Sequence, residues 1–212
     1  MDMITIALPT GRLGNQAMEI LKQAVEGLEE LEPSSRKLIF HSRDSSLRFL
    51  LVKPSDVPTY TEHGVADIGI VGKDTLLEEG SQLYEMMDLG FGKCRMVVAG
   101  FPNKKDSWVT QSYTRVATKY PNIAKNYFSG LDETIEIIKL NGSVELGPLV
   151  GLSDVIVDIV ESGRTLRDNG LVVLDEICRI SARLVVNRVS LKTKNEPITQ
   201  LINSIEKILE EK

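Results

Sequence analysis

Short apolar runs alternate with segments whose apolar residues recur at helical spacing along almost the whole chain. Residues 4–8 are an apolar run closed by Pro9-Thr10-Gly11; Ala17, Leu21, Ala24, Val25 and Leu28 then recur with Glu and Lys between them, so the pattern predicts strand, turn and amphipathic helix. Pro33-Ser34-Ser35 breaks that helix. Strands are predicted at 37–40, 47–52, 66–72, 94–100, 115–118, 136–140 and 155–160, and one long strand at 177–186. Between them, Asp56-Val57-Pro58 predicts a short helix with Asp56 as its N-cap, ended by Gly64. Further helical stretches are 74–79 (capped by Asp74 and stopped by Gly80), 121–127, one or two turns within 145–152, and 165–169 before Gly170. The last segment, 198–209, carries Ile198, Leu201, Ile202, Ile205, Ile208 and Leu209 on one face and predicts a core-facing helix.

Alternating β and α segments of this size predict an α/β protein with parallel sheets covered by helices. The chain shows no repeat and no low-complexity linker. Leu89-Gly90-Phe91-Gly92-Lys93 is the best boundary, and a second crossing is expected near Leu174-Asp175. Lobe I then comprises 1–90 and 175–212, lobe II comprises 91–174, and two crossings predict a hinged pair with a cleft. The 212 residues are 42% hydrophobic, enough for one large domain or two small ones. With 25 Lys+Arg against 30 Asp+Glu the net charge is −5, which argues against a globally basic nucleic-acid binder. There is no apolar run of about 18 residues, and the N-terminal residues lack the basic-then-apolar order of a signal peptide. Cys94 and Cys178 are too few for a disulfide framework, so the expectation is a reduced, cytoplasmic protein.

The most informative segment is 151–166. A hydrophobic strand runs into Glu161-Ser162-Gly163-Arg164-Thr165, and a helix starts at once. Unpaired amides at a helix start attract phosphate. Gly163 permits close backbone approach, Ser162 and Thr165 add hydroxyl donors, and Asp158 and Glu161 suit sugar hydroxyls or a magnesium ion. Together they point to a phosphorylated sugar. The plainer alternative is a strand–turn–helix with an ordinary Ser/Thr cap. The segment has neither a nucleoside-triphosphatase P-loop nor a dinucleotide-binding Gly-x-Gly-x-x-Gly.

A second candidate is Thr10-Gly11-Arg12, since loops after strands of open parallel sheets line the ligand crevice. Arg12 there can clamp a phosphate bidentately, or be a solvent-exposed Arg near a helix start. Arg36-Lys37 and Arg43-Asp44 flank a strand and read equally as rim ion pairs. His41 and His63 are isolated, and Trp108, in a polar connection, is expected to be partly exposed.

Several segments, in order, resemble the ATP phosphoribosyltransferase family. They are 10–13, 35–39, 56–74, 94–99, 115–120, 142–149, 151–166 and 181–188, nearly the whole chain, with 145–166 the specific signature. The resemblance implies two α/β lobes of the type II periplasmic-binding-protein kind, with the active site in the interlobe cleft. It implies transfer of the phosphoribosyl group of phosphoribosyl pyrophosphate to adenine N1 of ATP, releasing pyrophosphate, with magnesium, as the first step of histidine biosynthesis. It also implies the short form, which works in a hetero-oligomer with a regulatory subunit resembling the catalytic core of histidyl-tRNA synthetase. Asp158, Glu161, Ser162, Gly163, Arg164 and Thr165 are then expected to bind phosphoribosyl pyrophosphate. Arg12 and Arg36 are expected to act on the triphosphate or leaving pyrophosphate, and Asp67 joins them at ATP; Asp154 is expected to cap the strand or touch metal indirectly. The first loop departs from many members in having Thr10, not Lys, before Gly11. The alternatives are a two-lobe anion-binding module without catalysis, a salvage-type phosphoribosyltransferase of different fold, and a silent scaffold subunit. The salvage fold does not account for segments 67–74 and 94–99.

Overall fold

The computed structural model describes residues 3–28, 37–105, 108, 113–131 and 133–211. The chain begins with β1 (Ile4–Pro9), α1 (Arg12–Ala24), β2 (Ile39–His41), β3 (Leu47–Val52), α2 (Val57–Glu62), β4 (Ile68–Gly72), α3 (Lys73–Glu79) and β5 (Tyr84–Asp88). It continues with β6 (Cys94–Gly100), β7 (Thr114–Thr118), α4 (Pro121–Ser129), β8 (Ile135–Lys139), α5 (Leu146–Leu149), β9 (Val155–Val160), α6 (Arg164–Asp168) and β10 (Val172–Ile180). It closes with β11 (Ala182–Val186), α7 (Arg188–Thr193) and α8 (Asn195–Glu210). Two compact units result: Met1–Gly92 with Ser181–Lys212, and Lys93–Ile180.

The first unit holds a sheet of order β2-β3-β1-β4-β11-β5. β1 runs parallel to β3 and β4, and β11 inserts antiparallel between β4 and β5. Every residue of β1 is buried, because both sheet faces are covered. On one face Ile6, Leu8, Phe49 and Leu184 pack with Leu21 of α1 and Ile198, Leu201 and Ile205 of α8. On the other Ala7, Val71 and Val185 pack with Val57 of α2. α1 starts immediately after β1 because Gly14 has no side chain; a Cβ there would lie 1.7 Å from the Pro9 carbonyl oxygen.

The second unit holds the order β10-β6-β9-β7-β8. β7, β8 and β9 are parallel, and β6 is antiparallel to both β9 and β10. Alternation along β6 sends Met96 and Val98 to a cluster that includes Ile123 and Phe128 of α4. It sends Val97 and Ala99 to the other face, with Ile156, Val160 and Leu166 of α6.

Several local expectations change. The run 177–186 is two strands, not one: β10 stays in the second sheet to Ile180, and β11 begins in the first at Ala182. The second division therefore falls after Ile180 rather than near Leu174, and the first after Gly92. β10 is a partly exposed edge strand and β11 a largely buried interior one, but only Ser181 separates them and no Gly or Pro marks the point, so the local pattern does not register the change of sheet. Asp56 occupies the N-cap position of α2 as expected, but its side chain makes no capping hydrogen bond; its backbone is helical (φ −94°, ψ −16°), since a 3₁₀ turn at Pro54–Asp56 runs straight into the helix. Asp74 lies within the first turn of α3, and Gly72 occupies the cap. Trp108 is buried, stacked on Tyr127 and edge-on to Phe128 with ring centroids 6.4 and 5.9 Å away. The polar residues around it conceal an anchor that a large indole makes favourable.

Candidate active site

Ligands of parallel α/β sheets bind beyond the carboxyl ends of the strands. In the second unit that edge carries the turn after β9. Gly163 takes a left-handed conformation (φ +70°, ψ 12°) which an L side chain would strain. Leu166, 4% exposed, inserts into the apolar cluster with Val97, Ile156 and Val160 and anchors α6 over the sheet. The turn is braced from within. Nη1 of Arg167 donates to the Ser162 carbonyl at 3.0 Å, the Arg164 amide to Ser162 Oγ at 3.4 Å, and Asn169 Nδ2 to the Thr165 carbonyl at 2.8 Å. Arg164 also pairs with Asp168 at 3.4 Å along the exposed side of α6. Glu161, Ser162, Arg164 and Thr165 remain solvent-exposed, and Gly163 and Asp158 are half-buried.

α6 has five residues, so its macrodipole is short; what the turn offers a ligand is local amides and hydroxyls. Asp158 lies on the same face of β9 as Ile156 and Val160, opposite Val97, and its Oδ1 accepts the Ile159 amide at 2.8 Å. Lys119 and Lys139 follow or end β7 and β8 at this same edge, and Arg95 lies opposite Val160. Carboxylates, hydroxyls, turn amides and cations thus meet at one sheet edge, an arrangement able to hold a phosphorylated sugar.

Asp154 lies at the other end of β9. Arg115 grips it through its amide (3.0 Å), Nε (3.2 Å) and Nη2 (3.2 Å), while Nη1 reaches the Gly151 carbonyl at 3.0 Å. Burial alone would raise the Asp154 carboxyl; the Arg115 hydrogen bonds and charge outweigh it and hold the group below its ordinary value. Asp154 is a brace between β7 and β9.

In the first unit, Arg12 is exposed at the start of α1, directly after Gly11 (φ +89°) and at the carboxyl edge of the central strand β1. Arg36 lies outside the described residues. Asp67 does not fit the expected ATP contact. It precedes β4, at the amino edge of the sheet, and is 4% exposed. Its oxygens accept from the Thr5 amide (2.8 Å), Ser190 Oγ (2.6 Å) and Lys194 Nζ (2.9 Å), which consumes the carboxylate in tying α7 and α8 to β1 and β4. The true helix cap nearby is Asn187, whose Oδ1 accepts the amides of Val189 and Ser190, both at 2.9 Å.

Sequence reasoning assigned no role to a second charged group, at the carboxyl edge of the first sheet. Arg183 contacts Glu85 (3.4 Å) and Asp88 (3.0 Å), Lys73 pairs with Glu85, and Ser181 donates to Asp88 at 2.8 Å. The β11–β5 register brings these together, and no local motif announces it. Among the described residues no group of three His, Cys, Asp or Glu side chains could hold a metal ion by itself. No helix among them is long and apolar enough to cross a membrane.

The fold and site define an α/β protein of two units with an exposed glycine-containing turn at a sheet edge. Two solved structures share the fold at 12% identity: the periplasmic aliphatic sulphonate-binding protein SsuA from Escherichia coli (TM-score 0.60, 99% of this chain and 69% of that one) and the VFT2 domain of Bordetella pertussis BvgS (TM-score 0.58, 98% and 86%). The family model for ATP phosphoribosyltransferase matches residues 53–207. The ATP phosphoribosyltransferase of Lachnoclostridium phytofermentans is 57% identical over 213 residues (100% of this chain, 99% of the relative), and that of Caldanaerobacter subterraneus 56% over 209 (99% of each). The ATP phosphoribosyl transferase (HisG:HisZ) complex from Thermotoga maritima has a chain with TM-score 0.86 and 38% identity, covering 99% of this chain and 100% of that one. The chain belongs to the ATP phosphoribosyltransferase family of histidine biosynthesis. That membership displaces the reading of a non-catalytic anion-binding module, for which the periplasmic proteins supply only a shared fold.

Proposed function

We propose that the turn after β9 holds the phosphoribosyl donor and that the chain's cations carry the charge of the reaction. Adenine N1 of ATP brings its lone pair to C1 of phosphoribosyl pyrophosphate; the N1–C1 bond forms as the C1–oxygen bond breaks, and pyrophosphate leaves with the electron pair. Adenine N1 has no proton to lose, so no general base is required. The barrier lies in developing charge on the leaving group, which fixed cations stabilise most effectively. Turn residues Ser162, Gly163, Arg164 and Thr165 take the 5-phosphate, and Asp158 and Glu161 take the ribose hydroxyls. Arg12 and Arg36 act on the triphosphate or leaving pyrophosphate.

Magnesium fits this donor set. It keeps several waters and binds through one or two carboxylates plus substrate phosphates. Asp158 and Glu161 would hold it, and it would supply charge neutralisation at the pyrophosphate. The partner reading is a regulatory subunit related to histidyl-tRNA synthetase, supported by the two-component complex of the Thermotoga structure. The compartment is the cytoplasm.

The observation that carries the proposal is the left-handed Gly163 between the acidic end of β9 and α6, within the matched family segment. The test is mass spectrometry of the chain with ATP, phosphoribosyl pyrophosphate, magnesium and a pyrophosphatase, with and without the regulatory subunit. Phosphoribosyl-ATP is expected; its absence in both mixtures overturns the proposal.

A further inference from the structure

The second unit carries a charged group on the same sheet face as the donor turn, and the roles above leave it unused. Arg95 of β6 stands opposite Val160 on one side and opposite Arg179 of β10 on the other. Directly opposed residues share a face, and like charges in that position repel unless an anion lies between them. Val97, two residues beyond Arg95, packs in one cluster with Leu166 of α6, which identifies this as the face that α6 covers. Glu176, opposite Val97, is the anion. Its Oε2 lies 3.0 Å from Nη1 of Arg95 and its Oε1 3.7 Å from Nε of Arg179.

Two guanidinium groups therefore share one carboxylate, leaving a net positive charge. The side chains are 43% (Arg95), 91% (Arg179) and 36% (Glu176) exposed. Water screens such pairs and ordering long side chains costs entropy, so they add little to stability and are easily exchanged. A guanidinium fork matches phosphoryl oxygens better than a single shared carboxylate, and a diphosphate has two phosphoryl groups for two forks.

We propose that Arg95 and Arg179 form a diphosphate subsite beside the turn after β9, and that Glu176 is its internal stand-in, displaced when a substrate diphosphate arrives. The inference rests on the transfer reaction proposed above and extends it to the polyphosphate end of a substrate.

Calorimetric binding of inorganic pyrophosphate to the full chain reads the subsite, and the KM of each substrate tells whose diphosphate uses it. Arg95→Gln and Arg179→Gln are each expected to weaken pyrophosphate about tenfold. They also raise one KM: that of phosphoribosyl pyrophosphate if its leaving group docks there, that of ATP if the triphosphate does. Glu176→Gln moves the opposite way, tightening pyrophosphate roughly threefold, because a competing charge is gone while both cations remain. A merely structural carboxylate would not produce that sign. Lys125→Gln, on α4 and the other sheet face, removes one positive charge and leaves the affinity unchanged. Should Arg95→Gln fail to fold, Arg179→Gln and Glu176→Gln still decide. Unchanged affinity in the arginine variants, or weaker binding in Glu176→Gln, overturns the subsite. Full phosphoribosyl-ATP synthesis beside insensitive variants sinks the subsite alone, whereas no product from the unaltered chain sinks the reaction.

Discussion

Asp154, just before β9, and Asp158, within it, are four residues apart and have opposite fates. At the amino end of β9, Asp154 is gripped by Arg115 through both carboxylate oxygens. Toward the carboxyl end, Asp158 is half-buried beside an exposed turn of hydroxyls and amides. The first unit repeats the contrast: Asp67 at the amino edge is locked by Thr5, Ser190 and Lys194, and Arg12 at the carboxyl edge faces solvent. In these two pairs the amino-edge carboxylate is consumed by the fold, whereas the carboxyl edge, where ligands of such sheets bind, leaves side chains accessible to solvent.

The most severe test of that contrast is Asp158→Asn, which keeps size and an acceptor for the Ile159 amide. It is expected to lower kcat/KM by about 10²-fold or more, with stability changed by less than about 1 kcal/mol. Steady-state kinetics beside urea unfolding measure both; loss of stability with full activity would erase the distinction. Asp67→Ala should do the reverse. Removing one partner of a buried pair leaves Lys194 uncompensated and costs about 3 kcal/mol, with kcat per folded molecule retained. Ser162→Ala with Thr165→Ala should weaken phosphoribosyl pyrophosphate roughly tenfold without moving the unfolding midpoint, as titration calorimetry and a thermal melt would show.

Arg115→Gln gives the smallest effect and a signature in pH. The folded Asp154 carboxyl lies below its ordinary value of 3.8, so the stability it lends is complete above that value. It is lost as pH falls through the lowered folded value. The native chain should therefore exceed the variant by no more than about 1 kcal/mol at neutral pH, since the pair is partly exposed. The difference should shrink below pH ~4. A difference constant from neutral to acid pH would remove the brace.

How far the sequence foretold this depends on the range of the interaction. β3 and β9 stand at their expected limits, because a compact apolar run between turn residues is a local signal. The turn 161–165 was legible for the same reason: Gly, hydroxyl and acidic residues are adjacent in the chain. Asp67 was misread because Ala66-Asp67-Ile68 does not state which end of the sheet it occupies. The division after Ile180, the burial of Trp108 and the pairing of Arg95 with Arg179 all depend on partners distant in sequence. The edge strand β5, Tyr-Glu-Met-Met-Asp, escaped notice because three of its five residues are polar or half-polar.

The return of the chain at Ser181 has a consequence for synthesis on the ribosome. The second unit is one uninterrupted stretch, Lys93–Ile180, and its sheet can close as soon as β10 has emerged. The first unit is begun earlier but finished later. Its strand β11 belongs between β4 and β5, and α8, which covers Ile6 and Leu8, is made after β11. Once residue 180 has emerged, every strand of the second sheet is available, while the first sheet still lacks β11, so β4 is an open edge and β5 has no strand to pair with.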